Sequence, residues 1–209
     1  MRWLRDGATL CPKMTLAPAA GLVAVLGSVV YMVALAPVSG VYGGRDPDEV
    51  IAHIRARWRG YVISQVLFAA GALITALGMA LLAVHLADAN GPLLPAAGAI
   101  AMLLGGAMWA VLSYDRTLNF ERFFREYGRF PISAWAWLVL TGIGLVIYGF
   151  LLPGSDYPDW IAPVTWLLVA LQVGGAIFFP KQVPPQIYYA ATLLIGIVAF
   201  VAPTSVGNI

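Results

Sequence analysis

Few side chains in this chain are equipped for chemistry, and those that are stand in apolar surroundings. Gln65 and Gln172 are amides inside long apolar runs. An amide in hydrocarbon needs a partner from another helix or from a ligand, and such interhelical bonds are worth about 1 kcal/mol. Thr141 is a third candidate ligand contact, and Ser28, Ser64, Thr75, Thr165 and Thr192 complete the main polar residues of the runs. Hydroxyls of this kind often bond to their own helix backbone. Trp109, Trp137 and Trp166 fall deep in the runs, where a lipid, quinone or pigment would pack, or simply another helix. His85 is the one histidine in a run, close to Asp88, and His53 lies in a charged connection. A lone histidine cannot supply the paired ligands of a buried haem, so His85 is the weakest of these candidates and no metal is expected. Metalloprotease, CxxC, nucleophile-elbow and P-loop patterns are all absent, which leaves no catalytic constellation.

The elements that must position these residues are marked by charge. All 22 Asp, Glu, Lys and Arg residues lie outside six windows, 14–44, 60–87, 89–114, 130–155, 160–180 and 182–209. A helix crossing a bilayer needs roughly 20 apolar residues, and every window is long enough. The expectation is an all-α polytopic bundle of six transmembrane helices forming a single membrane domain, 1–209. Its spans are expected at about 15–38, 61–87, 93–114, 132–153, 160–179 and 186–201. Composition agrees: 61% of residues are hydrophobic and 11% charged, against about 25% charged in soluble domains. The net charge of +2 gives no reason to expect nucleic acid, and the single Cys11 forms no internal disulfide. The first run follows a basic start, but it exceeds the ~7–15 apolar residues of a signal peptide, so a retained helix is expected.

Prolines punctuate the spans and do not break them. Pro18, Pro95 and Pro163 fall in first turns, where a missing N–H is tolerated. Asn90-Gly91-Pro92 predicts a tight turn between the second and third spans.

Two connections carry most of the charge. In the first, Asp46 as N-cap and Pro47 at the first helical position predict a short helix, with Val50, Ile51 and Ile54 on an apolar face. Arg55 and Arg59 share another face, the pattern of an amphipathic helix at the membrane surface. In the second, Glu121–Arg125 and Arg122–Glu126 are i,i+4 pairs, and Arg129 follows. These five arginines are candidate contacts for a protein partner or a lipid headgroup, although charged helix faces are usually just solvated. Nine of the twelve Lys and Arg follow spans one, three and five. The positive-inside rule then sets both charged connections, 45–59 and 115–129, in the cytoplasm and both termini outside a bacterial inner membrane.

Glycines recur seven residues apart at 71/78, 98/105 and 142/149, and Gly174-Gly175 sit in the fifth span; small residues let helices approach closely. Gly27-Ser-Val-Val-Tyr31 and Gly144-Leu-Val-Ile-Tyr148 match loosely, and each precedes a proline and an Asp/Pro cluster. This predicts two inverted three-helix halves, an arrangement common in transporters.

The segment Asp46-Pro-x-x-Val-x-x-His-Ile54, set between an apolar span and two Gly/Ala/Leu-rich spans, resembles bacterial six-helix membrane proteins without an assigned activity. That resemblance implies a fold and a membrane location, and no site residues. The expected function is a non-enzymatic accessory subunit or scaffold that packs with a partner, lipid or lipophilic cofactor. The alternatives are a small carrier of a neutral or apolar solute, and a membrane anchor in a redox complex.

Overall fold

The structure is a computed structural model that describes residues 16–38, 41, 46–126, 132–155, 157–178 and 186–201. Most of these residues are helical, with no strand among them. The elements are α1 (Leu16–Val33) with a 3-10 turn (Ala36–Val38), α2 (Pro47–Ala56), α3 (Trp58–Asn90), α4 (Leu93–Leu118), α5 (Phe120–Arg125), α6 (Ile132–Leu151), α7 (Ile161–Phe178) and α8 (Gln186–Val201). Five of them, α1, α3, α4, α6 and α7, are long and apolar enough to cross a membrane. The sixth apolar helix, α8, has 16 residues, or about 24 Å at 1.5 Å per residue. By contrast α3 runs 33 residues, about 50 Å, which is longer than the ~30 Å thickness of a hydrocarbon core.

The six apolar helices form a closed ring, α1–α3–α4–α6–α7–α8 and back to α1. Neighbours in the ring run antiparallel. Gly78 meets Ala24 and Gly71 meets Tyr31 across α1–α3, while Gly105 meets Thr141 and Gly98 meets Ile147 across α4–α6. α3 ends at Asn90 and α4 starts at Leu93, so this pair must turn back at once. At Gly91 the backbone adopts φ 73°, a left-handed conformation that glycine supplies cheaply. Asn90 beside it donates to Ser155 Oγ at 2.6 Å, tying the α3–α4 turn to the end of α6.

Glycines set how close the helices come. A Cβ on Gly71 would lie 2.6 Å from Tyr31 N, and one on Gly21 would lie 2.6 Å from Gly196 O. These are backbone-to-backbone contacts, which fix α1 against α3 on one side and α8 on the other. Gly142 and Gly149 play a different part, making room for the Tyr188 hydroxyl and the Trp166 indole. Gly174 departs from the expectation: a Cβ there would meet nothing within 4 Å, so it does not mark a packing face.

The second triplet α6–α7–α8 runs opposite to α1–α3–α4, the sense that inverted halves require. The packing of the two triplets differs, however. Gly27 lies against Thr75 of α3, within its own triplet, whereas Gly144 lies against Met102 of α4, in the other triplet. The proposed equivalents α3 and α7 also differ in length, 33 against 18 residues.

A buried polar contact joins the first and last described helices. Ser28 Oγ and Thr192 Oγ1 are 2.9 Å apart in the α1–α8 seam. Thr192→Val is expected to lower unfolding stability by about 1 kcal/mol. A double-mutant cycle with Ser28→Ala, measured by denaturation in micelles, should return a coupling of the order of 0.6 kcal/mol.

Candidate functional site

Most of the sequence-derived candidates lie at one end of the ring, the end that carries α2 and α5. The two connections are locked to each other. Asp46 caps α2 by accepting from Asp48 N at 2.9 Å, with Pro47 at N1, as the sequence implies. Val50, Ile51 and Ile54 are buried beneath. Arg55 pairs with Glu121 at 2.6 Å and Arg125 with Asp48 at 3.3 Å, so α2 and α5 lie side by side. The expected Glu121–Arg125 pair is replaced by these two cross-connection pairs, because α5 is only six residues long and packs along α2. Arg122 does pair with Glu126 at 3.3 Å. Arg59 is exposed and makes no ion pair with a described residue. Arg129 lies outside the described residues.

Segments 46–59 and 115–126 hold six arginines and six carboxylates. The platform is therefore internally neutralised rather than a cationic plate. Its exposed ion pairs should contribute only about 0–1 kcal/mol each. A sharper prediction is geometric: Arg55→Cys with Glu121→Cys, in a Cys11→Ser background, should be joined by a bifunctional thiol reagent about 10 Å long, a span beyond the direct reach of a disulfide, read as a mobility shift on gels.

Beneath the platform the axis is filled by aromatic side chains. Tyr31 and Tyr189 stack with centroids 3.5 Å apart and planes at 14°. Tyr31 also packs on Phe68 at 4.9 Å and Trp109 at 5.7 Å. Trp109 meets Trp137 at 4.4 Å, and Trp137 meets Tyr188 at 5.5 Å. The chain of rings thus joins α1, α3, α4, α6 and α8. Trp109 and Trp137 are each 2% exposed. Tyr188 and Tyr189 stand near the start of α8, where aromatic residues often form an interfacial belt, yet both are buried core residues. Both project from the inward face of α8, and Tyr188 donates to Leu138 O at 3.0 Å. Trp58, Trp135, Trp160 and Tyr114 keep the exposed positions that a belt requires.

Thr141 lines a small cavity just below the rings, with Thr75, Met102, Gly106, Tyr188 and Thr192 among its walls. Its volume is about 10 Å3, enough for one water at most. Gln65 and Gln172 are both buried at 2% exposure. They sit on α3 and α7, which are not packed neighbours, so the ring keeps them on separate walls. Gln172 Oε1 and Thr165 Oγ1, seven residues apart on the buried face of α7, have no hydrogen-bond partner among the described residues. Trp166 stands apart from the other candidates. It is half-buried between α6 and α7, donates to Val146 O at 3.3 Å and packs on Phe150 at 4.6 Å. His85 is half-buried near the opposite end of α3, and no three His, Cys, Asp or Glu residues gather into a metal site among the described residues.

Sequence reasoning passed over two residues here. Arg116 is one: its guanidinium lies 5.1 Å from the Trp109 ring and 4.6 Å from Phe123. Ser113, one turn earlier on α4, is buried at 1% exposure. The signal for both was their i,i+4 and i,i+7 spacing from Trp109, which puts all three on one helix face.

The fold and this site define a class: an all-helical ring of apolar helices whose axis is filled by its own aromatic side chains. Comparison of the chain with protein-family models, curated proteins and solved structures returned no match.

Proposed function

We propose that this chain is a non-enzymatic six-span membrane protein that acts through its outer surface, as an accessory subunit or scaffold for a protein partner or lipid. α8 completes the six spans, with the α2–α5 platform in the cytoplasm and both termini outside. The observation that carries the reading is the filled axis. Five helices direct rings into one continuous stack, and the cavity beside it has about 10 Å3, whereas pockets for small molecules usually run to hundreds of Å3. The broadest surface for recognition is then the outside. Leu22, Leu26, Val66, Leu77, Leu103 and Leu167 are among the exposed apolar side chains there, a surface for acyl chains or for another membrane helix. Size measurement of the intact particle after extraction in mild detergent tests this. A particle heavier than one chain plus its micelle, with a defined second component, supports the reading. A bare monomer at every detergent condition contradicts it.

One observation favours a second reading, a carrier for a small neutral solute. The buried, partnerless Thr75 Oγ1, Thr165 Oγ1 and Gln172 Oε1 each cost about 1–3 kcal/mol as they stand, and a solute passing through a more open state of the ring would satisfy them. Uptake by liposomes containing the purified chain would favour the carrier.

A further inference from the structure

At the platform end of the ring, the α3–α4 pair holds buried donors with no acceptor among the described residues. Ser64 and Ser113 are 0% and 1% exposed, and neither hydroxyl has a hydrogen-bond partner. The Trp109 indole N–H and the Arg116 Nε–H are buried and partnerless as well. Tyr61 Oη donates to Arg116 O at 3.1 Å, which fixes the register of the two antiparallel helices. Further along, Gly106 lies against Ala72 O, a contact of nearly the same register, and one turn deeper from Tyr61 and Arg116 that register sets Ser64 level with Ser113.

Arg116 sits two residues from the end of α4. A cation there complements the helix dipole and ordinarily extends outward to water. Its guanidinium instead lies back against the Trp109 ring, seven residues earlier, with Phe123 on its other side. No described carboxylate pairs with it, and the adjacent Asp115 is engaged by Asn119 at 2.8 Å. Arginine and tryptophan N–H groups only donate, and serine hydroxyls turn to donate when an acceptor is present. The cluster is all donor and carries one positive charge. It repels a metal cation and suits an anion, and the planar guanidinium fork pairs best with the two oxygens of a carboxylate or phosphate.

We propose that Arg116, Ser113 and Ser64 form a binding site for a singly charged oxyanion, entered from the platform end and bordered by Phe123. The oxyanion is either a small soluble carboxylate or phosphate, or the phosphodiester of an anionic lipid. The site stands independently of the scaffold reading, since it requires neither a partner chain nor transport.

The test uses the full chain in uncharged detergent, with the unfolding midpoint followed by tryptophan fluorescence. Acetate and inorganic phosphate are titrated against chloride at constant ionic strength. Phosphatidylglycerol is titrated against phosphatidylcholine in mixed micelles. A saturable rise in midpoint is expected with one class of oxyanion, and the responding class identifies the source as soluble or lipid. Half-saturation should weaken at least tenfold in Ser113→Ala, and the response should vanish in Arg116→Gln. Should Arg116→Gln not fold, Ser64→Ala with Ser113→Ala carries the test. That variant removes two unsatisfied hydroxyls, so it should be at least as stable as wild type without ligand, yet lose the response. No oxyanion response beyond chloride or phosphatidylcholine in the wild type overturns the proposal, as does an undiminished response in the double serine variant.

Discussion

Gly27→Ala destabilises the bundle by more than about 3 kcal/mol, while Gly174→Ala leaves it unchanged or up to about 1 kcal/mol more stable. Both substitutions add one methyl to a glycine in a membrane-length helix, so propensity alone predicts a gain of up to ~1 kcal/mol in each case. Packing separates them. A Cβ on Gly27 would fall against the backbone nitrogen of Thr75, 2.6 Å from its Oγ1 and 2.8 Å from Ile74 C. Overfilled sites usually cost about 1–3 kcal/mol, where neighbouring side chains can turn away. Here the obstacle is backbone, so relief requires α1 and α3 to separate along the seam that also holds Gly71 and Gly78. At Gly174 nothing lies within 4 Å. Denaturation of both variants in the same micelles, read by fluorescence, checks the contrast.

Trp137→Ala gives the second large loss, about 3 kcal/mol. Trp137 is among the largest fully buried side chains, packed between Trp109 and Tyr188. Truncating a buried tryptophan in a soluble core costs about 3–5 kcal/mol through transfer and cavity contributions. In a bilayer the transfer part shrinks, because lipid is as apolar as the core. The lost dispersion contacts remain, which puts the expectation at the lower end of that range. The hole left behind is apolar and shaped for an aromatic ring, so indole added to the micelles should recover part of the loss, as small aromatics fill engineered apolar cavities. Trp166→Ala, at a half-buried position on the α6–α7 face, should cost less and show no rescue.

How much of this was legible in the sequence depends on the range of the interaction that decides each feature. The absence of charge over helix-length windows is a local property, and it located the six apolar helices to within a few residues at most ends. The Asp46-Pro47 start of α2 and the Gly91 turn are local too, and both were readable. The extension of α3 back to Trp58 and of α4 on to Leu118 was not. Charge marks where a segment leaves hydrocarbon, and a helix does not have to stop there. Ion pairing was misread for a related reason. Glu121 and Arg125 have the spacing of a pair, but only the docking of α2 on α5 supplies the competing Arg55 and Asp48. The seven-residue glycine spacings correctly marked close approaches, yet they could not say what approaches. Across α1–α3 it is backbone, and at Gly142 and Gly149 it is the tip of an aromatic side chain.

The candidate site was legible as an inventory and illegible as an arrangement. Trp109 and Trp137 were singled out, and they meet. Gln65 and Gln172 were each expected to need a partner from another helix or a ligand, and they stand on separate walls, because ring order sets α3 and α7 apart. Arg116 was hidden by its position at a span end, where an arginine ordinarily reaches outward to water. Only the direction of its side chain, back toward Trp109, makes it notable.

The central claim is that the axial space beside the aromatic stack is filled by the protein itself and closed to water from both sides. Ala72 lines the axial cavity and is 2% exposed, so Ala72→Cys in a Cys11→Ser background reports on that space directly. The measurement is modification by a small membrane-impermeant thiol reagent, applied to each side of sealed vesicles, with an exposed Asp159→Cys variant as the positive control. The filled bundle predicts no labelling of Ala72→Cys from either side over the time that labels Asp159→Cys to completion. Labelling from one side or both would show that the axis opens to water, and would move the account from a scaffold to a carrier.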